Sequence, residues 1–524
     1  MSRTVIAWIA LVALWGAMAV VLVLPGALSI TKHSGDALHM IAIVERLAQG
    51  QLPHLDFETP IGVLAFWPIA LLVKVGLSVG QAFLISQVIL GVLFGGVALA
   101  LARRRVSATF SGGLAAIVVI LTMALVHGEA DIAVSVSMHY NRWAWALAFI
   151  AVFSAFLPPV PGGRWEGPVL GVIMASLALM KVTYFVVFAP LVVLGMLMTG
   201  QRQSLLFALL TGLLVAGALT LLLGVGYWAA YVSDLLTVAS SNIRAQPGLD
   251  LAQVFTAPAY LAGTAVAFIS VIVLRRGGFE VEGILVLLLA LAGTYVTYQN
   301  FGNDPQWWAL LALLLVIWAV EAPVSGPKVP LTVCAGALAA MIAPSFVNMG
   351  VSPFRHVAID QTDYLPLLAG GDRHQDLLVS RVKANRIRGD IELEGYRAFN
   401  PKPGPEPTVF KGETLPDCRT EPVAGYFGTI AADLRDRGLA QGEAIFAIDI
   451  LNPYWLYGDH PPLEGGTPWY YNGLPGAAEG GLVLLPSCPI LTRVRGIIAE
   501  QLEDWPMTEV ARTELYTLYR LESR

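Results

Sequence analysis

Runs of about 20 apolar residues recur along the first two thirds of the chain, and nothing else constrains its fold as much. Each is long enough to cross the hydrocarbon core of a bilayer. Inside that core the backbone must satisfy its own hydrogen bonds, so such runs fold as helices. Eleven are predicted, at about 5–30, 79–102, 108–127, 142–159, 167–182, 183–199, 204–226, 255–274, 283–298, 306–322 and 329–347. The pair within 167–199 is short and depends on Lys181 lying in a turn. Composition agrees: 56% of residues are hydrophobic, 13% are charged, and mean hydropathy is +0.67. A soluble chain carries about 25% charged residues. The N-terminal run is too long for a signal peptide and no clear small-residue cleavage site follows, so it reads as a retained transmembrane helix. A net charge of -5 argues against a nucleic-acid partner. Three cysteines, with no CxxC and no Cys/His cluster, exclude a disulfide-rich scaffold and a structural zinc site.

Residues 61–78 are long enough to cross, and counting Lys and Arg decides against it. With 61–78 lying in the interface, one side receives Arg3, Arg103, Arg104, Arg105, Arg164, Arg202, Arg275, Arg276 and Lys328. The other side's short loops hold Lys32, Arg46, Lys74, Arg142, Lys181 and Arg244 among nine acids. The N-terminus is therefore expected inside, and residues 350–524 outside.

At Gly350 the composition changes to frequent charges, Pro and Gly, and no later run could span a membrane. A soluble α/β domain is expected over 350–524. Strands are predicted at 443–450 and 481–486, and helices at 426–438 and 491–504. Cys418 and Cys488 both fall here and could pair in an oxidising compartment or stay as thiols. Cys334 reads as membrane-helix packing.

Between the first two spans lies Ser34 to Gly62, SGDALHMIAIVERLAQGQLPHLDFETPIG, with the acids Asp36, Glu45, Asp56 and Glu58. Leu38, Ile41, Val44, Leu47 and Ala48 recur at helical spacing, which predicts an amphipathic surface helix. Ser34 could cap it and Gly50 could end it. Asp36 is either a general base for an acceptor hydroxyl or a carboxylate satisfying the helix dipole. Asp56 is either a turn-former or a substrate contact.

The other unusual polar residues fall in loops on the same side. Glu129 and Asp131, in GEAD, could hold a divalent cation such as magnesium or manganese, or form a solvated loop. His139, Tyr140, Asn141 and Arg142 head a membrane helix with Trp143 and Trp145, which read as interfacial anchors. Arg142 at that depth calls for an anionic partner: a phosphate, or Glu129 or Asp131. Lys181 interrupts an apolar run, beside Thr183 and Tyr184; it could bind a phosphate or snorkel. Gln299, Asn300, Asn303 and Asp304 form a polar loop flanked by aromatics, suited to sugar hydroxyls or to an ordinary turn. Arg355 and His356 could face the same site. No GxSxG, HExxH or Walker lysine stands in a convincing context. Any energy for a transfer must then reside in an activated substrate.

These features resemble the GT-C superfamily of membrane glycosyltransferases. The resemblance rests on Asp36 after the first span, the helix ending in Gly50, LDFETPIG, the acidic loop GEAD, Lys181 at an outer turn, and the C-terminal soluble domain. It covers about residues 1–350. Glu-x-Asp stands where some members carry Asp-x-Asp, which puts a metal in question. The resemblance implies an all-α polytopic membrane domain, with about eleven transmembrane helices and interfacial helices, followed by the α/β domain. It implies sugar transfer, with inversion, from a polyprenyl-phosphate or diphosphate donor to a glycan, lipid or protein acceptor. Asp36 would be the base. Arg142, Lys181 and Arg355 would hold the donor phosphate. Asp56, His139, Tyr184, Asn300 and Asp304 would contact sugar or acceptor, and Glu129 and Asp131 a metal or the acceptor. A lipid-linked-sugar transporter would instead place ionisable residues at mid-membrane. A non-catalytic membrane subunit would use the C-terminal domain to bind a partner.

Overall fold

The computed structural model describes residues 3–128, 130–160, 162–243, 250–300, 305–324, 326–384, 386–389, 407–421, 424–458 and 460–522. The chain is mostly helical. The first part runs α1 (Arg3–Val23), α2 (Ser34–Ala48), α3 (Trp67–Lys74), α4 (Val79–Ala102), α5 (Ala108–Met123) and α6 (His139–Phe156). Then come α7 (Glu166–Met180), α8 (Val182–Met198), α9 (Arg202–Leu223), α10 (Val225–Ala239), α11 (Leu251–Thr256), α12 (Pro258–Arg276), α13 (Glu280–Gln299), α14 (Trp307–Glu321) and α15 (Lys328–Val357). Each expected apolar run coincides with a helix. Among the described residues α4, α9, α12, α13 and α15 are long and apolar enough to cross a membrane; α1, α5, α8 and α14 contribute shorter apolar stretches. The large apolar side chains left exposed on α9, such as Leu213, Leu214, Leu221 and Leu222, suit a helix facing lipid.

Two boundaries differ from expectation, at Val23 and at Gly350, each for a local reason, while 61–78 holds too short a helix to cross, as expected. The first helix stops at Val23, because Pro25 and the left-handed Gly26 turn the chain into a short strand, β1 (Leu28–Ile30). Residues 61–78 form a 3-10 turn and then α3, whose eight residues extend only about 12 Å and cannot cross. The composition change at Gly350 falls inside α15, which continues to Val357.

Polar contacts define the two ends of the bundle. At one end Arg105 binds Glu166, Gln201 (3.0 Å) and the carbonyl of Leu157 (2.9 Å). The starts of α7 and α9 therefore lie together, and α7 and α8 form a hairpin broken at Lys181, the one extended residue between them. At the other end sit α2, α3, the Lys181 turn, α10 and the C-terminal region.

That region contains β2 (Tyr364–Pro366), β3 (Leu377–Ser380), α16 (Arg381–Ala384), β4 (Arg386–Gly389), β5 (Val409–Phe410), β6 (Glu413–Thr414) and β7 (Cys418–Glu421). It continues with α17 (Ala424–Asp436), β8 (Ile445–Ala447), β9 (Leu482–Pro486), α18 (Thr492–Leu502), β10 (Met507–Arg512) and β11 (Tyr516–Leu521). The largest sheet has the order β10-β11-β9-β8, with β8 and β9 parallel and the other pairs antiparallel. Both predicted strands and both predicted helices are present, as β8, β9, α17 and α18. Cys418 and Cys488 form a disulfide, and Cys334 is free and buried. A second sheet, β1-β3-β2, joins the start of the chain to this region through the register Leu28–Leu377.

One short segment fastens the region to the helices. Asp376 accepts hydrogen bonds from Ser78 Oγ (2.6 Å), Gly80 N–H (3.0 Å) and Gln81 N–H (2.7 Å), capping α4. The Val79 N–H donates to His374 Nδ1 at 3.1 Å, so His374 Nε2 carries the proton that meets the Glu45 carboxylate on α2. Arg373 reaches the same carboxylate at 2.9 Å. Burial pushes the Glu45 carboxyl up, but the contacts with His374, Arg373 and Gln49 outweigh it and hold the group below its usual range.

Replacing Asp376 by Ala should lower the stability of the full chain by about 1–2 kcal/mol, with Asp376→Asn falling between it and the wild type. Thermal unfolding in detergent reads this, and an unchanged midpoint in Asp376→Ala would show that the cap is idle.

Candidate functional site

The site grows from α2. Its apolar stripe is buried as the periodicity predicts, with Leu38, Ile41, Val44 and Leu47 all in the core. Gly50 ends it in a left-handed conformation, with Gly50 N–H bonded to Leu47 O and Gln51 N–H to Arg46 O. Ser34 does not cap it. The cap position is His33, itself left-handed and without a side-chain cap bond, because its ring is committed elsewhere. His33 Nδ1 lies 2.9 Å from Ser135 Oγ, and its ring packs 5.2 Å from that of His127. Burial holds the His33 imidazole down to about 4, so it is neutral at physiological pH.

Ser135 and His127 belong to the loop between α5 and α6, which folds back onto the start of α2. Thr31 N–H donates to Val134 O at 2.9 Å, and Lys32 Nζ meets Asp131 at 2.8 Å. Asp131 also accepts from the Ala133 N–H. The hydrogen bond from Lys32 holds its carboxyl below the usual range. Glu129 lies outside the described residues, and among those described no group of three His, Cys, Asp or Glu could hold a metal.

Behind this loop the ends of four helices enclose a narrow cleft. Arg142 and Asn141 come from the first turn of α6, Tyr184 from the first turn of α8, and Thr297 and Asn300 from the end of α13. Gln306 precedes α14, and His127 closes the mouth. Arg142 is 4% exposed. Its Nη2 donates to Ala124 O at 2.9 Å, and among the described residues no carboxylate lies within ion-pair distance. Asn141 Nδ2 donates to Asn300 Oδ1 at 3.2 Å. Four buried polar atoms in the lining lack a hydrogen-bond partner among the described residues: Arg142 Nε, His127 Nε2, Asn141 Oδ1 and Gln306 Oε1, while the Tyr184 hydroxyl is within reach of Asn300. Each such atom costs about 1–3 kcal/mol if left dry. A cleft that gathers four of them calls for polar partners, water or a ligand.

Lys181 stands beside this cleft, its ammonium 5.3 Å from the centre of the Tyr140 ring. An apolar groove runs from the Lys181 turn between α7, α8 and α9, lined by Ala178, Leu179 and Phe185 at that end and Met196 and Leu205 at the other. Gly62 lets the turn after Asp56 lie on the last turn of α7, where a Cβ would stand 2.1 Å from Leu179 O.

The sequence-nominated residues thus divide. Arg142, Tyr184 and Asn300 share the cleft, and Lys181 flanks it. Asp36 is half-buried on the first turn of α2, three residues after His33. Asp56 accepts from the Leu52 N–H at 2.6 Å and holds its own turn. His139 is fully buried, its ring nitrogens facing Ala65 O (2.8 Å) and Val136 O (3.2 Å). Arg355 binds the Asn348 side chain and carbonyl, and Asn348 in turn holds Asp131 O at 2.9 Å, so Arg355 braces the loop. His356 accepts from the Ser29 N–H. Trp143 and Trp145 are 0% and 4% exposed, inside the bundle rather than anchored at its surface. Asp304 lies outside the described residues. His127 and Gln306 were not nominated; each stands beside a nominated acidic motif, HGEAD and NDPQ.

Sequence reading also missed a second buried cluster. His54, left-handed at φ 72, places Nδ1 2.8 Å from Asp234 Oδ2 and stacks on Tyr231 at 4.2 Å. Asp234 also accepts from the Thr59 N–H at 3.0 Å, tying α10 to the turn. Burial, aided by the charge of Asp234, pushes the neighbouring Glu58 carboxyl up to about 7.

No family model matches the chain, and no curated protein matches it. Among solved structures, the crystal structure of ArnT from Cupriavidus metallidurans in the apo state aligns over 99% of this chain and 98% of its own, with a TM-score of 0.39 and 10% identity.

Because its folded value is raised, Glu58 favours the folded state when protonated and opposes it as pH rises from about 4.5 toward about 7. Glu58→Gln should therefore melt above the wild type at pH 8, and the gap should close below pH 5. A gap that is the same at both pH values would contradict this.

Proposed function

We propose that the chain is a GT-C-type membrane glycosyltransferase. It transfers a sugar from a polyprenyl-phosphate or diphosphate carrier to an acceptor at the outer membrane face, with inversion. One observation carries the reading: the buried Arg142, without an ion-pair partner among the described residues, in a cleft of unpartnered polar atoms beside a long apolar groove. A lipid-linked phosphosugar has three matching parts. The isoprenoid tail suits the groove, the phosphate suits Arg142 and Lys181, and the sugar hydroxyls suit Tyr184, Asn300, Asn141 and Gln306.

In this reading Asp36 takes the proton of the acceptor hydroxyl as its oxygen attacks the anomeric carbon. The bond from that carbon to the phosphate oxygen breaks, and the phosphate leaves with the bonding pair. Arg142 and Lys181 stabilise the charge that develops there, as preorganised cations in a water-poor site can. Lys32 already engages Asp131, and in this reading the cations of the protein serve the phosphate. Residues 1–349 form the catalytic membrane domain and 350–524 the extracytoplasmic one. The Cys418–Cys488 disulfide supports that orientation, since such bonds persist on the oxidising side of a membrane, as does the positive charge at Arg103–Arg105.

Asp36→Asn should cut transfer from a polyprenyl-phosphate sugar in detergent by about 10²–10⁴-fold, with donor affinity kept. Arg142→Gln should weaken the donor phosphate, raising the donor KM and lowering kcat. Wild-type turnover by Asp36→Asn would remove Asp36 as the base. If the wild type transfers from no polyprenyl donor, the transferase reading fails as a whole.

A further inference from the structure

The helix α10 covers the end of the apolar groove nearest Lys181. Its Trp228 is part of the groove lining, and the indole Nε1 donates to Thr220 Oγ1 on α9 at 2.8 Å. One turn on, Tyr231 Oη donates at 2.9 Å to the carbonyl of Ala178, another lining residue. Two aromatic side chains of α10 thus close the groove where the donor phosphate is proposed to sit.

Little holds α10 in this position. Its buried residues are Tyr227, Tyr231, Asp234 and Val238, a single stripe at spacings of four, three and four, while Val225, Val232 and Leu236 are exposed. Mid-helix, Asp234 Oδ2 accepts from the Thr59 N–H at 3.0 Å and meets His54 Nδ1 at 2.8 Å. This junction is not fully satisfied. His54 Nε2 and Tyr227 Oη are buried without a hydrogen-bond partner among the described residues, which makes the closed position shallower. Past the helix, Ser241 Oγ bonds Tyr471 O at 2.6 Å and Arg493 bonds Asn242 O at 3.1 Å. At the other end Gly224 alone separates α9 from α10, at φ 80 and ψ 167, a conformation open to glycine. A Cβ there would meet nothing nearer than Gly226 N at 4.0 Å, so the joint is uncrowded.

A thinly attached helix with a glycine joint at one end and aromatics over a groove has the parts of a lid. A permanent cover would be sealed best by apolar packing, because burying Asp234 carries a desolvation cost. A carboxylate can instead exchange its protein partners for water when the helix lifts. Resting on the transferase reading above, we infer that α10 gates the groove: it pivots at Gly224, is latched by Asp234, and lifts to admit and release the donor's isoprenoid tail. Opening gives up the few polar contacts named above and one narrow buried stripe.

Hydrogen exchange of the full-length protein in detergent, read by mass spectrometry, tests the latch without turnover. Asp234→Ala should speed exchange across residues 225–239 at least about tenfold, as expected for the loss of charge-assisted hydrogen bonds, and leave α8 unchanged. Tyr231→Phe, which removes one neutral bond at the groove mouth, should produce a smaller rise. Size-exclusion profiles and melting temperatures of both variants establish that they fold. Unchanged exchange in Asp234→Ala, or an equal rise in α8, overturns the latch. A C55 polyprenyl phosphate then probes the gate by stopped-flow tryptophan fluorescence. Association with Asp234→Ala should be at least about threefold faster than with the wild type, since the rate scales with the fraction open. Equal association rates overturn the gating role. If the wild type binds no polyprenyl phosphate while α10 still loosens in Asp234→Ala, the transferase reading fails and the latch stands.

Discussion

The first amides of α4 and the buried carboxylate of Glu45 are satisfied by the same short segment, His374 to Asp376. Neither helix could be left without it at low cost. An uncapped helix start buried against protein exposes several donors with no acceptor, and a lone buried carboxylate carries a desolvation penalty of several kcal/mol. Meeting both needs at once fixes α2 against α4, and with them the orientation of the face that holds Asp36. The C-terminal region is therefore a structural member of the helical bundle as much as an appendage.

A hydrocarbon environment explains why the cleft stands where it does. Within the core of the bundle helices meet through small and apolar side chains, as where Gly167 and Gly171 bring α7 onto α9. Polar atoms concentrate at helix ends, where backbone partners and water are within reach. Arg142, Tyr184, Asn300 and Gln306 all occupy such ends. Three separate chain reversals converge to make one polar chamber, and the apolar groove starts beside it.

Much of this was legible because lipid imposes strict rules. The apolar runs declared their lengths, the α7–α8 break followed from a lysine that hydrocarbon would not tolerate, and α2 followed from its period. Cys418 and Cys488 could be read as a pair or as two thiols, and only the fold, which brings β7 beside the chain after β9, decides for the pair. Other features depend on distant partners and left no local mark. The strand β1 has three residues and exists only because β3 lies beside it. Trp143 and Trp145 misled because a tryptophan at a helix start looks the same whether it faces lipid headgroups or the bundle interior. The strand β10, MTEVAR, is largely exposed and polar, so it lacked the apolar signature that revealed β9. His127 and Gln306 were passed over because a single polar residue gains meaning only from what other helices bring to it.

The β1–β3 pairing carries a consequence for how the molecule comes into being. Ser29 is bonded to His356, 327 positions away, and its strand to residues later still. A chain emerging in order inserts α1 and exposes α2 long before these partners are made. Closing so distant a contact is slow and comes after local helices have formed. The segment bearing Asp36 is thus among the earliest to be synthesised and among the last to be seated. A partly made chain carries α2 without the frame that holds it, so this end of the bundle is complete only once the C-terminal region has docked.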